Sequence, residues 1–163
     1  MSSSGILCQQ IAKHFRDVHF GGNWTWVSLK EHLAQVSRDE ALQQVGDFNT
    51  IAALAYHIYY YVEVQLNVLE GGPLEGNDEL SWNTPDFPDE VSWRRFLEES
   101  WAAVERAASL IETLPEQRLW EPFTAEKYGS YYRNLHGNIE HCHYHAGQIV
   151  LVRKALAARQ TQI

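Results

Sequence analysis

Residues 138–149 read NIEHCHYHAGQI, and they hold three of the chain's eight histidines within five positions. His141 and His145 are four apart, so on a helix they lie on one face, with Cβ atoms roughly 5–6 Å from each other. His143, between them, is turned about 200° from His141 and points elsewhere. Two imidazoles at that spacing can grip one divalent ion but need a third ligand from another part of the chain. A helix bearing such a pair therefore asks for a second helix facing it.

Working outward, helical spacing dominates. Upstream and downstream of the pair, Leu135, Asn138, Cys142, Ile149 and Leu156 fall near one line at about 100° per residue, which predicts a last helix from Ser130 to Ala158. Ile6, Ile11, Phe15 and Val18 predict a first helix that Gly21 and Gly22 stop. Ser28 with Glu31, and Ser37 with Glu40, carry the capping-box pattern of two short helices. Asn49 or Thr50 opens a long helix through Leu69, with Ile51, Leu54, Ile58, Tyr61 and Gln65 on one face; His57 sits within that apolar face. Ser92 and Trp93 begin a third long helix, which Pro115 stops after Leu114. No strand with period-two alternation and no internal repeat stands out. The expectation is an all-α chain, one domain over residues 1–163, built as a four-helix bundle, an architecture that forms metal and ligand sites from side chains on facing helices.

Gly71 to Ser92 contains three of the five prolines and no helical period. It reads as one long loop, beyond the usual connection of about 4–6 residues. Its aromatics Trp82 and Phe87 read as exposed apolar tips that cover a pocket mouth, strap the bundle, or meet a second subunit.

Composition excludes several classes. Apolar residues are 45% and charged residues 21% of the 163, ordinary for a globular protein. A formal charge of −8 without any basic run speaks against a nucleic-acid partner. The two cysteines, Cys8 and Cys142, make no C-x-x-C pattern, so a reducing cytoplasm is expected. The start lacks a secretory signal, and no apolar stretch approaches the ~18 residues of a membrane span, so no membrane is expected as partner.

The inward set is thus His57, His141, His145 and Gln148, with Cys142 on the same stripe. Eight histidines in 163 residues put one such pair within reach of chance, so the pair draws its meaning from the second inward element. Gln148 is placed to orient His145, and Tyr61 to reach the site from one turn beyond His57. Glu140 and Glu63 point outward. The absence of an inward carboxylate favours thiol chemistry or binding over hydrolysis by water.

LHGNIEHCHYHAGQIVLVRK, with H-x-x-x-H followed by a small pair and Gln, resembles the last-helix motif of the DinB/YfiT-like metal-binding superfamily. NTIAALAYHIYYYV resembles that family's second helix, and HFGGNWTWVSLKEHLAQVSRDEA and EGGPLEGNDELSWNTP resemble connecting segments of one branch. The resemblance implies an up-down-down-up four-helix bundle in which His57, His141 and His145 bind a divalent metal ion, zinc or nickel. It implies a thiol S-transferase or isomerase using a small thiol, a metal-dependent hydrolase, or a metal- or ligand-binding protein without activity. It also implies a homodimer.

Overall fold

The computed structural model describes residues 5–160; the ends of the expected 1–163 unit lie outside that range. Four long helices carry the fold: α1 (Ile6–Phe20), α4 (Ile51–Leu69), α6 (Glu90–Thr113) and α7 (Tyr131–Gln160). Short helices α2 (Leu29–Ala34), α3 (Arg38–Leu42) and α5 (Asp78–Ser81) lie between them, and two 3₁₀ turns precede α7. The described residues contain no β-strand.

Local chemistry sets the helix ends. Ser28 Oγ accepts from the Glu31 amide, and Ser37 with Glu40 closes a full capping box. Thr50 Oγ1 accepts from the Ala53 amide and opens α4. Gly21 terminates α1 at a φ of 108°, a region closed to most side chains. The third long helix starts earlier than Ser92. Asp89 is its N-cap and Ser92 is the reciprocal partner at the third helical position, so the Ser92 hydroxyl closes the cap rather than opening the helix.

Side-chain contacts give the helix directions. Trp101 Nε1–H donates to Tyr59 Oη (3.1 Å) and, further along both helices, Arg106 pairs with Glu70. The numbers rise together, so α4 and α6 are parallel. The Asn138 amide donates to the Tyr61 carbonyl (3.1 Å) while His145 lies against His57, so α4 and α7 are antiparallel. Gly5, at the start of α1, lies against Glu116, just past the end of α6, so those two are antiparallel. With α1 packed on α6 and α7, and α4 on the same two, the order is up-down-down-up.

The parallel α4–α6 pair governs the site. A chain leaving α4 must return about 28 Å, the length of 19 helical residues, before α6 can begin. Residues 70–89 make that return along the bundle surface, and α5 forms midway, capped by Asn77, whose side chain accepts from the Leu80 amide. The segment is therefore a crossover strap with one helical turn, not a featureless loop. Phe87 is buried against Trp93 and Phe96, and its carbonyl accepts from Arg38 Nε (2.7 Å). Trp93, fully buried, donates its indole N–H to the Val36 carbonyl (3.0 Å), tying α6 to the segment after α2. No described helix is long and apolar enough to cross a membrane.

Candidate metal centre

His57 on α4 meets His141 and His145 on α7. One ring nitrogen from each lies within 4.8 Å of the other two, and His57 and His145 are buried while His141 is half-buried. Ring centroids are 4.8 Å apart for His57–His141 and His57–His145, and 4.5 Å for His141–His145. The antiparallel packing of α4 on α7 brings the three together, because the i,i+4 pair presents two rings to the one ring opposite.

Hydrogen bonds orient two of the three rings. Ser81 Oγ donates its proton to the Asp78 carbonyl (2.6 Å), so it accepts from His57 Nδ1–H (2.8 Å). That network assigns the Nδ1–H tautomer and leaves the His57 Nε2 lone pair free. His145 Nδ1–H likewise donates to Gln148 Oε1 (2.6 Å), freeing its Nε2. His57 Nε2 stands 2.9 Å from His141 Nε2, a contact between two ring nitrogens that needs either a proton or a cation between them. His141 Nδ1 is buried and finds no partner among the described residues. Neutral imidazoles held by outer hydrogen bonds are the donor arrangement that zinc, nickel and similar ions take. The residues fit such an ion.

Both orienting groups differ in how visible they were. Gln148 is three residues past His145 on the same helix, where spacing alone places it. Ser81 comes from α5 on the crossover, together with two further groups absent from the expected site. Trp82 stacks on the His57 ring at a centroid distance of 3.7 Å and 14° between planes, and meets His145 edge-on at 6.0 Å. It is half-buried there rather than an exposed tip. Asp78 accepts from the Tyr61 hydroxyl (3.1 Å), and the Tyr61 ring stands edge-on to His57 at 5.3 Å and to His141 at 5.2 Å. An exposed carboxylate therefore stands behind Tyr61, next to the histidines but not among the inward groups. The Asn-Asp pair at 77–78 was the available signal, as an N-cap with an acidic first turn.

Burial sets the electrostatics. His57 is pushed down to about 4, first by burial and then by the neighbouring His145; Asp78 opposes the shift. His141 is also lowered to about 4, by burial, then by His145 and His57. Burial lowers His145 too, against its bond to Gln148. Above mildly acid pH all three rings are neutral, the form that binds metal.

The other candidates lie apart. Cys142 is buried, its thiol donating to Asn138 Oδ1 one turn back on α7 (3.3 Å) and facing His19 Nε2 of α1 at 3.6 Å. Burial raises its pKa far above the thiol range, so it is an inert core group rather than a fourth ligand. His143 faces His14 on α1, with ring centroids 5.8 Å apart, away from the triad as its spacing requires. Glu140 and Glu63 are exposed, as expected.

Replacing Ser81 by Ala should weaken divalent-metal affinity by about 10–100-fold, the usual effect of losing an outer partner of a ligand histidine. Competition with a chromophoric chelator measures it; unchanged affinity would remove Ser81 from the centre.

The profile of the DinB superfamily matches residues 23–149, a span that contains His57, His141 and His145 and the whole crossover. No curated protein and no solved structure gives a match.

Proposed function

The chain belongs to the DinB superfamily, and on that footing we propose that His57, His141 and His145 hold one divalent ion, zinc or nickel, at the centre of a thiol S-transferase-like site for a small electrophile. The observation that supports this reading is the convergence of three ring nitrogens, two of them on rings whose far nitrogen is already committed to Ser81 and Gln148. A three-histidine site leaves a coordination position open, and the ion when bound supplies Lewis acidity and favours the deprotonated form of a thiol or water.

The chain's own groups do the rest. Trp82 covers the His57 ring and excludes water from that side. Tyr61 places its ring edge on two of the histidines and its hydroxyl on Asp78, so its oxygen can accept a proton released at the site as its own proton passes to that exposed carboxylate. The Tyr61–Asp78 pair also favours a second reading, a metal-dependent hydrolase in which the pair accepts the proton of the attacking water. A homodimer belongs to this proposal on the family resemblance alone, a cytoplasmic setting on the two cysteines without a C-x-x-C pattern, and a single domain on the length of the chain and its one set of helices. Trp82 and Phe87 no longer support the dimer, because both pack on their own bundle.

The test is consumption of a small thiol by an aryl halide or an enone with the metal-loaded protein, beside hydrolysis of activated esters without thiol. Metal-dependent thiol consumption that is lost in His141→Ala supports transfer. Ester hydrolysis with no thiol dependence, lost in Asp78→Asn, selects the hydrolase. Neither activity would leave the site a binding centre.

A further inference from the structure

Beside the triad, a cavity of about 460 Å3 opens between α4, the crossover and the start of α7, and His141 and Tyr61 form one end of it. A cavity of that size suits a small organic molecule. Three features define what it would take. Val64, Leu74 and Phe123 give it apolar walls. Gln65, 4% exposed, is among its lining residues, and its buried amide nitrogen has no partner among the described residues. Arg133 lines it as well and pairs with no carboxylate among the described residues, where its guanidinium makes one bond, from Nη1 to the Tyr128 carbonyl (3.2 Å).

We infer that this cavity is the binding site of a small organic monoacid, whose carboxylate pairs with Arg133 and whose body carries an oxygen acceptor for the Gln65 amide. Guanidinium is planar and offers parallel N–H groups that match a carboxylate. Glu140 sits in the same wall and already offsets the arginine's charge, so a dianionic phosphate meets more repulsion there than a monocarboxylate does. The buried Gln65 amide is the kind of donor that a carbonyl or ether oxygen on the ligand satisfies. Bound so, the body lies along Phe123 and Leu74 and its other end reaches His141. The inference deepens the proposed function by naming the class of its substrate; it rests on that reading for the chemistry at His141 and not for the binding.

The experiment uses 3-benzoylpropionate, an unreactive acid with an aryl body and a ketone oxygen, titrated calorimetrically into the metal-loaded protein. Its neutral amide should bind at least about tenfold more weakly, and Arg133→Met should abolish the difference. 4-Phenylbutyrate, which lacks the ketone, should bind about fivefold more weakly to the wild type and equally well to Gln65→Met. Arg133 is exposed, so its replacement tests binding without threatening the core. Equal affinity for acid and amide, an Arg133→Met variant that binds as the wild type does, displacement by equimolar inorganic phosphate, or no saturable binding would each overturn the inference. Elemental analysis of the same samples separates the two readings. Stoichiometric metal without acid preference sinks only the ligand class; acid preference in a protein that takes up no metal sinks only the metal centre.

Discussion

His57→Ala should reduce the metal content of the purified protein from about one divalent ion per chain to near zero. His141 and His145 sit on one helix and could still bind as a pair, but they would lose the only ligand contributed by α4. Four-ligand zinc sites bind with about 10–16 kcal/mol, so each ligand carries roughly 3 kcal/mol, and one deletion should lower affinity by about a hundredfold or more. Dialysis against a modest chelator then empties the variant and not the wild type. His141→Ala and His145→Ala should behave alike. His143→Ala is the control and should keep its ion, because that ring faces His14 on the other side of α7. Full retention in all three triad variants would eliminate the site. A bound ion stabilises the folded chain by about 2.7 kcal/mol at a hundred times its Kd, so chelation should also lower the melting temperature of the wild type and leave that of His57→Ala unmoved.

The second large effect is on pH. Imidazoles at the ordinary value near 6.5 would begin to lose metal as pH falls through that value. His57 and His141 are instead held at about 4 by burial and by neighbouring rings. A ligand competes with protons only below its own pKa, so these two rings should cost the site little affinity from pH 8 to about pH 5 and much more below it, and burial lowers His145 as well. For these two rings alone, the ordinary value would forfeit about a thousandfold of affinity between pH 7 and pH 5. Chelator competition across that range distinguishes the two profiles; a steady decline from pH 7 would show the rings to be ordinary. Unfolding must be followed beside it. His19, fully buried, is lowered to about 3 by burial and then by His143. Each of these rings has a folded pKa below its unfolded one, so the unfolded chain binds more protons between the two values. Their contribution to stability is complete above about pH 6.5 and is lost as pH falls towards 4 and then 3. Circular dichroism on the same samples tells metal release from loss of fold.

The bundle was legible because its signals are local. The caps at Ser28, Ser37 and Thr50, the stripe through Ile11 and Phe15, and the i,i+4 pair on α7 all depend on residues within a turn or two of each other. His57 was legible for the same reason, as a polar residue inside an apolar face. What escaped belongs to the crossover. A four-residue helix such as α5 is too short to show a period, and the stacking of Trp82 on His57 spans 25 residues of sequence and depends on where the return path runs. That path follows from α4 and α6 being parallel, a fact of packing that neither helix records. Asp78 and Ser81 were hidden with it, and the exposed carboxylate beside Tyr61 is what gives the hydrolase reading its footing.

The most direct measurement is X-ray absorption on the protein loaded with one equivalent of zinc. Ligation by His57, His141 and His145 predicts a first shell of nitrogen and oxygen at about 2.0–2.1 Å, with the outer-ring scattering of three imidazoles. A sulfur shell near 2.3 Å would place the ion at a cysteine, and a shell without imidazole scattering would place it on surface carboxylates. Either would contradict the three-histidine centre.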